Sequence, residues 1–313
     1  MNNKVAIIGR SELLYNAALL LLENGFKIVL VITSNEAPEY KITSDDFRKL
    51  AIANNAMFIK TSKINTDDVL EKIESLGLID IAISINYSGV IANEVIQKFK
   101  LGILNAHGGD LPRYRGNACQ AWAIINNEEK VGLCIHKMIG GELDSGDIIE
   151  RDYFPIELNT RVGEIWKWMD LSIPKMILNA VQKLSLDSKY LLEKQSSDKT
   201  LTLRCFPRIP EDGKINWNCD SINIIRLINA SSEPYSGAFC YFDNMKIIIW
   251  RAFLEICDEN ILAIPGQISS INSDYSLSVI CGSGKIRLTD IEFNNIRSEK
   301  PAQFIKTIRK RFI

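Results

Sequence analysis

Only two of the 313 residues are histidine, His107 and His136, so the search for a side chain that titrates near neutrality narrows to two positions. The seven cysteines, Cys119, Cys134, Cys205, Cys219, Cys240, Cys257 and Cys281, never fall in a Cys-x-x-Cys spacing. An odd, scattered set makes neither a zinc site nor a disulfide framework, and no metal is expected. Most of them lie in apolar runs such as Gly132-Leu133-Cys134-Ile135, where a thiol packs as a small hydrophobe. Long apolar runs are missing too. The longest, residues 5–9, 17–22 and 28–32, fall far short of the roughly 20 residues a bilayer span needs, and no membrane partner is expected. The N-terminus has no basic leader, long apolar stretch or Ala-x-Ala site, which reads as a cytoplasmic protein. Charge of one sign is absent as well: 37 Lys+Arg stand against 38 Asp+Glu, net −1. No overall positive field holds a polyanion, so nucleic acid is not expected as the principal partner.

At 46% hydrophobic and 24% charged, the chain has the composition of a folded protein rather than a disordered one. Its first third alternates short β-branched runs with helical periods, the pattern of a parallel sheet wrapped by helices. Residues 5–9 read as a strand, 11–24 as a helix closed by Gly25, and 27–32 as a second strand. Ser44-Asp45-Asp46 and Thr66-Asp67-Asp68 each open a further helix, with a capping residue and acids in the first turn. Residues 78–85 form an apolar run suited to a strand covered on both faces. Near residue 200 the composition changes. An extended stretch with Pro207, Pro210 and Gly213 leads into short strands and glycine turns at 237–242, 246–250, 276–281 and 285–288. The expected fold class is α/β: a Rossmann-like domain over residues 1–200, then a smaller β-rich domain over 201–313. The first strand does not lead into a dinucleotide fingerprint, because Gly9-Arg10-Ser11-Glu12 has one glycine where that motif needs three. Gly282-Ser283-Gly284-Lys285 lacks the upstream glycine of a phosphate loop and reads as a hairpin turn.

The chemistry concentrates between residues 104 and 149. Asn105 and His107 are two apart, hence on one face at the end of a strand, where an amide and an imidazole can hold an oxyanion and move a proton at the same carbon. A glycine- and proline-bearing loop follows, with Arg113 and Arg115 suited to a pocket near an anion. Residues 131–136 make another strand, and the loop after it carries Asp144, the natural partner for His107.

Asn105-x-His107, Leu111-Pro112-x-Tyr114-Arg115-Gly116 and Leu143-Asp144-Ser145-Gly146-Asp147-Ile148 together resemble, in order and spacing, the signature of the 10-formyltetrahydrofolate-dependent formyltransferases. That group includes methionyl-tRNA formyltransferase and the nucleotide-sugar N-formyltransferases. Arg208-x-Pro210-Glu211-Asp212-Gly213-x-Ile215-x-Trp217 and Pro234-Tyr235-Ser236-Gly237-Ala238-Phe239 resemble the linker and start of the family's second domain. The resemblance implies a Rossmann-like formyltransferase domain with an OB-like open barrel behind it, and 10-formyltetrahydrofolate as co-substrate without a metal. It also implies that Asn105 holds the formyl oxygen, that His107 transfers the proton, and that Asp144 orients His107 and favours its charged form. The folate would lie against Tyr87, Gly89, Val90 and Ile91 and against Gly140, Gly141 and Leu143, with Asn117 reaching the same pocket. Arg10, Arg113 and Tyr114 are expected on the substrate side. The chain departs from the family where many members have His-Gly-Ser-Leu-Leu-Pro: here Gly109 and Asp110 intervene, and a serine hydroxyl is lost. Asp110 is read as solvent-facing, the alternative being a contact with the acceptor amine. Trp122 is read as helix packing.

The tRNA enzymes carry a basic, glycine-rich insertion after the second strand. Residues 34–49 here hold four acids and three bases, which offers a nucleic acid no electrostatic grip. The expected acceptor is therefore the amine of a nucleotide-linked amino-deoxy sugar, on a dTDP, UDP or GDP carrier, for O-antigen or related lipopolysaccharide precursors. Initiator methionyl-tRNA is the alternative acceptor, and a hydrolase that releases formate is the second alternative. A homodimer is compatible with the sugar-modifying relatives.

Overall fold

A computed structural model of the chain describes residues 3–38, 40–256 and 260–313. Two compact units emerge: Met1–Cys119 with Val131–Phe154 and Trp166–Cys205, and Gln120–Lys130 with Pro155–Ile165 and Phe206–Ile313. The first unit begins with β1 (Lys4–Gly9), α1 (Glu12–Glu23), β2 (Lys27–Thr33), α2 (Ser44–Ala53), β3 (Met57–Lys60), α3 (Asp67–Ser75) and β4 (Ile81–Ile85). It continues with α4 (Asn93–Ile96), β5 (Ile103–His107), β6 (Tyr114–Gly116), α5 (Cys119–Ile125), β7 (Lys130–Lys137), β8 (Ile148–Pro155), α6 (Val162–Leu186) and β9 (Leu203–Cys205), of which α5 lies mostly in the second unit.

The main sheet has the order β3-β2-β1-β4-β5-β7-β8, with β3 to β5 parallel and β7 antiparallel to β5. Strands β1 and β4 are apolar without alternation because both faces are covered: Val5 to Ile8 and Ile81 to Ile85 are all buried. Each such aliphatic side chain contributes about 1.5–3 kcal/mol when removed from water. The pattern of helix ends explains the punctuation of the sequence. Gly25, at φ +81°, turns the chain from α1 into β2, a conformation that costs glycine little. Helix α2 is capped by Thr43, one residue before the expected Ser44, in a reciprocal pair with Asp46. The run at 78–85 becomes strand only from Ile81, and Leu78 at its start is exposed.

The second unit holds α7 (Ser221–Ser231) and an antiparallel sheet of β10 (Ala238–Phe242), β11 (Met245–Glu255), β12 (Ile268–Ile271), β13 (Leu277–Ile280), β14 (Lys285–Phe293) and β15 (Ile296–Ser298). Its order is β10-β11-β14-β13-β12, with β15 on β14; among the described residues no pairing joins β10 to β12, so the sheet is open. Helix α7, capped by Asp220, buries Ile224, Ile225 and Ile228 in the same core as Ile247, Ile249 and Leu288. Gly282-Ser283-Gly284 is the turn between β13 and β14. No helix among the described residues is long and apolar enough to cross a membrane. Of the cysteines, Cys119, Cys134, Cys205, Cys240 and Cys281 are buried and Cys219 is exposed; Cys257 lies outside the described residues, as does Glu39 of the acidic stretch.

Candidate active site

Strand ends converge on a cavity of about 420 Å³ in the first unit. It opens beyond the carboxyl ends of β4 and β5, where open α/β sheets take their ligands. Period-two geometry turns Asn105 and His107 of β5 to the same face. The antiparallel register then sets His136 of β7 directly opposite Asn105. Ser84, paired in register with Asn105, adds a hydroxyl from β4.

Asp144 arrives from the loop between β7 and β8 and meets this face. Its Oδ2 accepts the backbone N–H of Gly116 at 3.0 Å and stands 3.5 Å from His107 Nδ1. Its Oδ1 lies 3.5 Å from both His136 Nε2 and the Asn105 amide nitrogen. The loop is held from behind: the Gln195 amide donates to the carbonyls of Asp144 at 2.8 Å and Gly146 at 2.7 Å, and Asp144 itself sits at φ +48°. A left-handed conformation in a non-glycine residue is kept only where its surroundings over-determine it, and here Gln195 and Gly116 do so. Burial works against the carboxylate, but the neighbouring His107 and the Gly116 N–H help to outweigh it and hold the pKa down at about 2. Asp144 is therefore ionised at neutral pH.

His107 Nε2 faces the carbonyl of Tyr114, with the Cys119 thiol 3.8 Å away. Asp144 acts in the expected direction, favouring the charged imidazole, but burial outweighs it. Desolvation pushes the His107 pKa below its ordinary 6.5 although Asp144 pulls it up, and the neutral ring is the resting form. With Nε2–H donating to Tyr114, the lone pair of Nδ1 is left beside Asp144.

Of the residues singled out in the sequence, Asn105, His107, Asp144, Tyr87, Gly89, Val90, Ile91, Asn117, Gly141 and Leu143 all line the cavity. Gly140 stands just outside, packed so closely on Asn93 that a Cβ would come within 2.3 Å of its backbone nitrogen. Arg10, Arg113 and Tyr114 are not brought into the wall. Arg10 instead ties two loops together by donating to the carbonyls of Asn86 at 2.9 Å and Asn35 at 2.8 Å, and Tyr114 is buried and reaches the site through its backbone carbonyl. Asp110 corrects the solvent-facing reading: its carboxylate accepts from Arg151 at 2.7 Å and from the Tyr153 hydroxyl at 3.1 Å. Trp122 is half-buried and donates to the Phe206 carbonyl at 2.9 Å. Site groups that the sequence did not mark include Ser84 and Arg204 in the wall and Gln195 behind it; His136, noted there only as one of the two histidines, and Glu142, within the segment 140–144 expected against the folate, line the wall too. Among the described residues no group of three or more His, Cys, Asp or Glu is arranged to hold a metal ion.

An amide donor, a neutral imidazole and an ionised carboxylate around one cavity form the equipment of acyl-group transfer. Comparison with known proteins points the same way. Residues 3–180 match the formyl transferase family, and residues 208–309 match the formyl transferase C-terminal domain. The chain is 24% identical over 306 residues to methionyl-tRNA formyltransferase of Ruminiclostridium cellulolyticum, covering 97% of this chain and 96% of that one. Among solved structures it resembles WlaRD, a sugar 3N-formyl transferase determined in the presence of dTDP and 5-N-formyl-THF, with TM-score 0.66, 22% identity, and 91% and 96% coverage. It also resembles a variant of HypX from Aquifex aeolicus, with TM-score 0.62 and 18% identity, where 98% of this chain spans about half, 48%, of that one. With both family matches in register along one chain, and the polar cluster inside the first of them, the protein belongs to the formyl transferase family.

Proposed function

We propose that this formyltransferase moves the formyl group of 10-formyltetrahydrofolate to the amine of a nucleotide-linked amino-deoxy sugar, a cytoplasmic step toward a surface glycan. The chemistry is assigned to residues 1–200, with 201–313 as a supporting domain. The cavity suits a folate in its wall materials. Tyr87 is fixed by its hydroxyl on the Thr61 carbonyl at 3.0 Å, and the apolar Val90, Ile91, Met138, Ile139 and Leu143 leave room for a flat ring. The co-substrate supplies the formyl carbon. Asn105 donates an N–H to the formyl oxygen as it gains charge. As the amine nitrogen bonds to the formyl carbon, Nδ1 of neutral His107 takes its proton; the imidazolium so formed is held between Asp144 and the Tyr114 carbonyl and returns that proton to N10 as the formyl–N10 bond breaks and tetrahydrofolate leaves. Asp144 thus stabilises the charged ring where the charge appears, during transfer rather than at rest.

The observation that carries the choice of acceptor is the charge of the stretch after β2. Two of its bases are paired with neighbouring acids, Arg48 with Asp45 at 3.8 Å and Lys49 with Asp46 at 3.4 Å, so the stretch offers a phosphate backbone no excess of basic charge. The likeness to a sugar 3N-formyl transferase supports the same reading. Methionyl-tRNA is the second reading, favoured by the 24% identical relative that matches this chain end to end. The test is release of tetrahydrofolate from 10-formyltetrahydrofolate with dTDP-, UDP- and GDP-linked amino sugars, charged initiator tRNA and no acceptor. Turnover with one sugar supports the proposal. Turnover with tRNA alone, or equal formate release without acceptor, overturns it.

A further inference from the structure

His136 is nearly absent from the molecular surface, at 1% exposure, and the mechanism above does not use it. Its two ring nitrogens have different partners. Nδ1 lies 2.9 Å from the carbonyl of Lys137, and only an N–H satisfies a carbonyl oxygen, so the ring proton sits on Nδ1. Nε2 is then a bare lone pair, 3.1 Å from the side-chain amide of Asn105. Of the two ends of that amide, only the NH2 end satisfies a lone pair.

The consequence reaches the reacting carbon. The terminal torsion of asparagine is roughly two-fold, so an unrestrained amide presents oxygen or nitrogen to the cavity with similar ease. With oxygen turned inward, the site would set one electron-rich atom against another. We propose that His136 is a positioning residue for formyl transfer. Its Nε2 takes one hydrogen of the Asn105 amide and so commits the second to the cavity, where Asp144 Oδ1, at a long 3.5 Å, yields it to the formyl oxygen. The cross-strand register that pairs Asn105 with His136 makes the arrangement independent of any loop. This inference rests on the reading of Asn105 as the group that holds the formyl oxygen.

The test compares His136→Leu, His136→Gln and Asn105→Ala, alone and in combination, by tetrahydrofolate release with the acceptor that the panel above selects. Asn105→Ala is expected to lower kcat about 10²-fold or more, as loss of one oxyanion donor does. His136→Leu is expected to lower kcat about 10-fold or more while the KM for 10-formyltetrahydrofolate stays within about 2-fold. Glutamine offers an acceptor oxygen near the place of Nε2 and is expected to recover most of that loss. The double variant Asn105→Ala/His136→Leu should be no slower than Asn105→Ala within about 2-fold, because His136 acts only through the amide. Independent, multiplying losses, or a glutamine variant as slow as leucine, overturn the positioning role. Near-normal turnover by Asn105→Ala overturns the reading of Asn105 instead, and the two failures are told apart by that single variant.

Discussion

Replacing Asp144 by asparagine keeps the size of the side chain and an acceptor for the Gly116 N–H, and removes one negative charge from a buried site. The charge matters most when His107 carries a proton, 3.5 Å away. At that distance and an effective dielectric of about 20, a carboxylate and an imidazolium attract by about 5 kcal/mol. The dipole of the amide retains a share, so about 4 kcal/mol is lost from the transition state, about 10³-fold in kcat. The pH dependence has a definite sign. Burial already holds the His107 pKa below 6.5, and Asp144 is what raises it, so without the carboxylate the imidazole gives up its proton at a lower pH still. The acid limb of kcat should therefore move to lower pH in Asp144→Asn while the plateau falls. A steady-state profile of tetrahydrofolate release from pH 4.5 to 9 reads both effects, with folate binding measured alongside. A plateau within about 10-fold of the parent, or an acid limb that stays in place or moves up, would refute the electrostatic account of the site.

The same carboxylate bears on stability. Asp144 is held at about 2 against 3.8 when free, so it contributes about 2 kcal/mol above pH 4 that is lost as pH falls toward 2, and Asp144→Asn should show a correspondingly flatter loss of stability over that interval in denaturant titrations. Asp110→Ala leaves the largely buried Arg151 without one of its carboxylate partners and should cost about 1–3 kcal/mol while kcat stays within about 2-fold; a large fall in kcat at unchanged stability would place Asp110 against substrate after all. Gly116→Ala should lose most activity, since a Cβ there falls 2.3 Å from the Cys205 carbonyl and shifts the N–H that steadies Asp144. Thiol titration of the native protein at pH 8 should label Cys219 quickly and leave Cys134 and Cys281 untouched until unfolding, because burial pushes those two up to about 11 and about 12.

What the sequence reveals follows from how local each constraint is. Asn105 and His107 are legible because period two on one strand needs no knowledge of the rest of the fold. The main parallel strands are legible for a similar reason, as unbroken apolar runs between capped helices. His136 is a different case. Inside the run Gly132-Leu133-Cys134-Ile135 a histidine looks like a satisfied core residue, and its role depends on a register formed across a 31-residue separation. Gln195 and the Arg151 that engages Asp110 come from equally distant segments, with no motif to mark them. Strands β3, β12 and β15, of three or four residues, are too short for periodicity to show. The charge state of His107 was hidden most deeply, because it depends on how completely the fold excludes water from the ring.

The cavity rim has a calorimetric consequence. Val90, Ile139 and Leu143 stand around its mouth at 69%, 42% and 39% exposure, apolar carbon that the unliganded protein leaves in water. A ring system that settles over them strips away that hydration shell, so binding should show a negative heat-capacity change. The measured enthalpy of binding would then become more favourable with each degree of warming, and polar substitution of Val90 or Leu143 would flatten that slope.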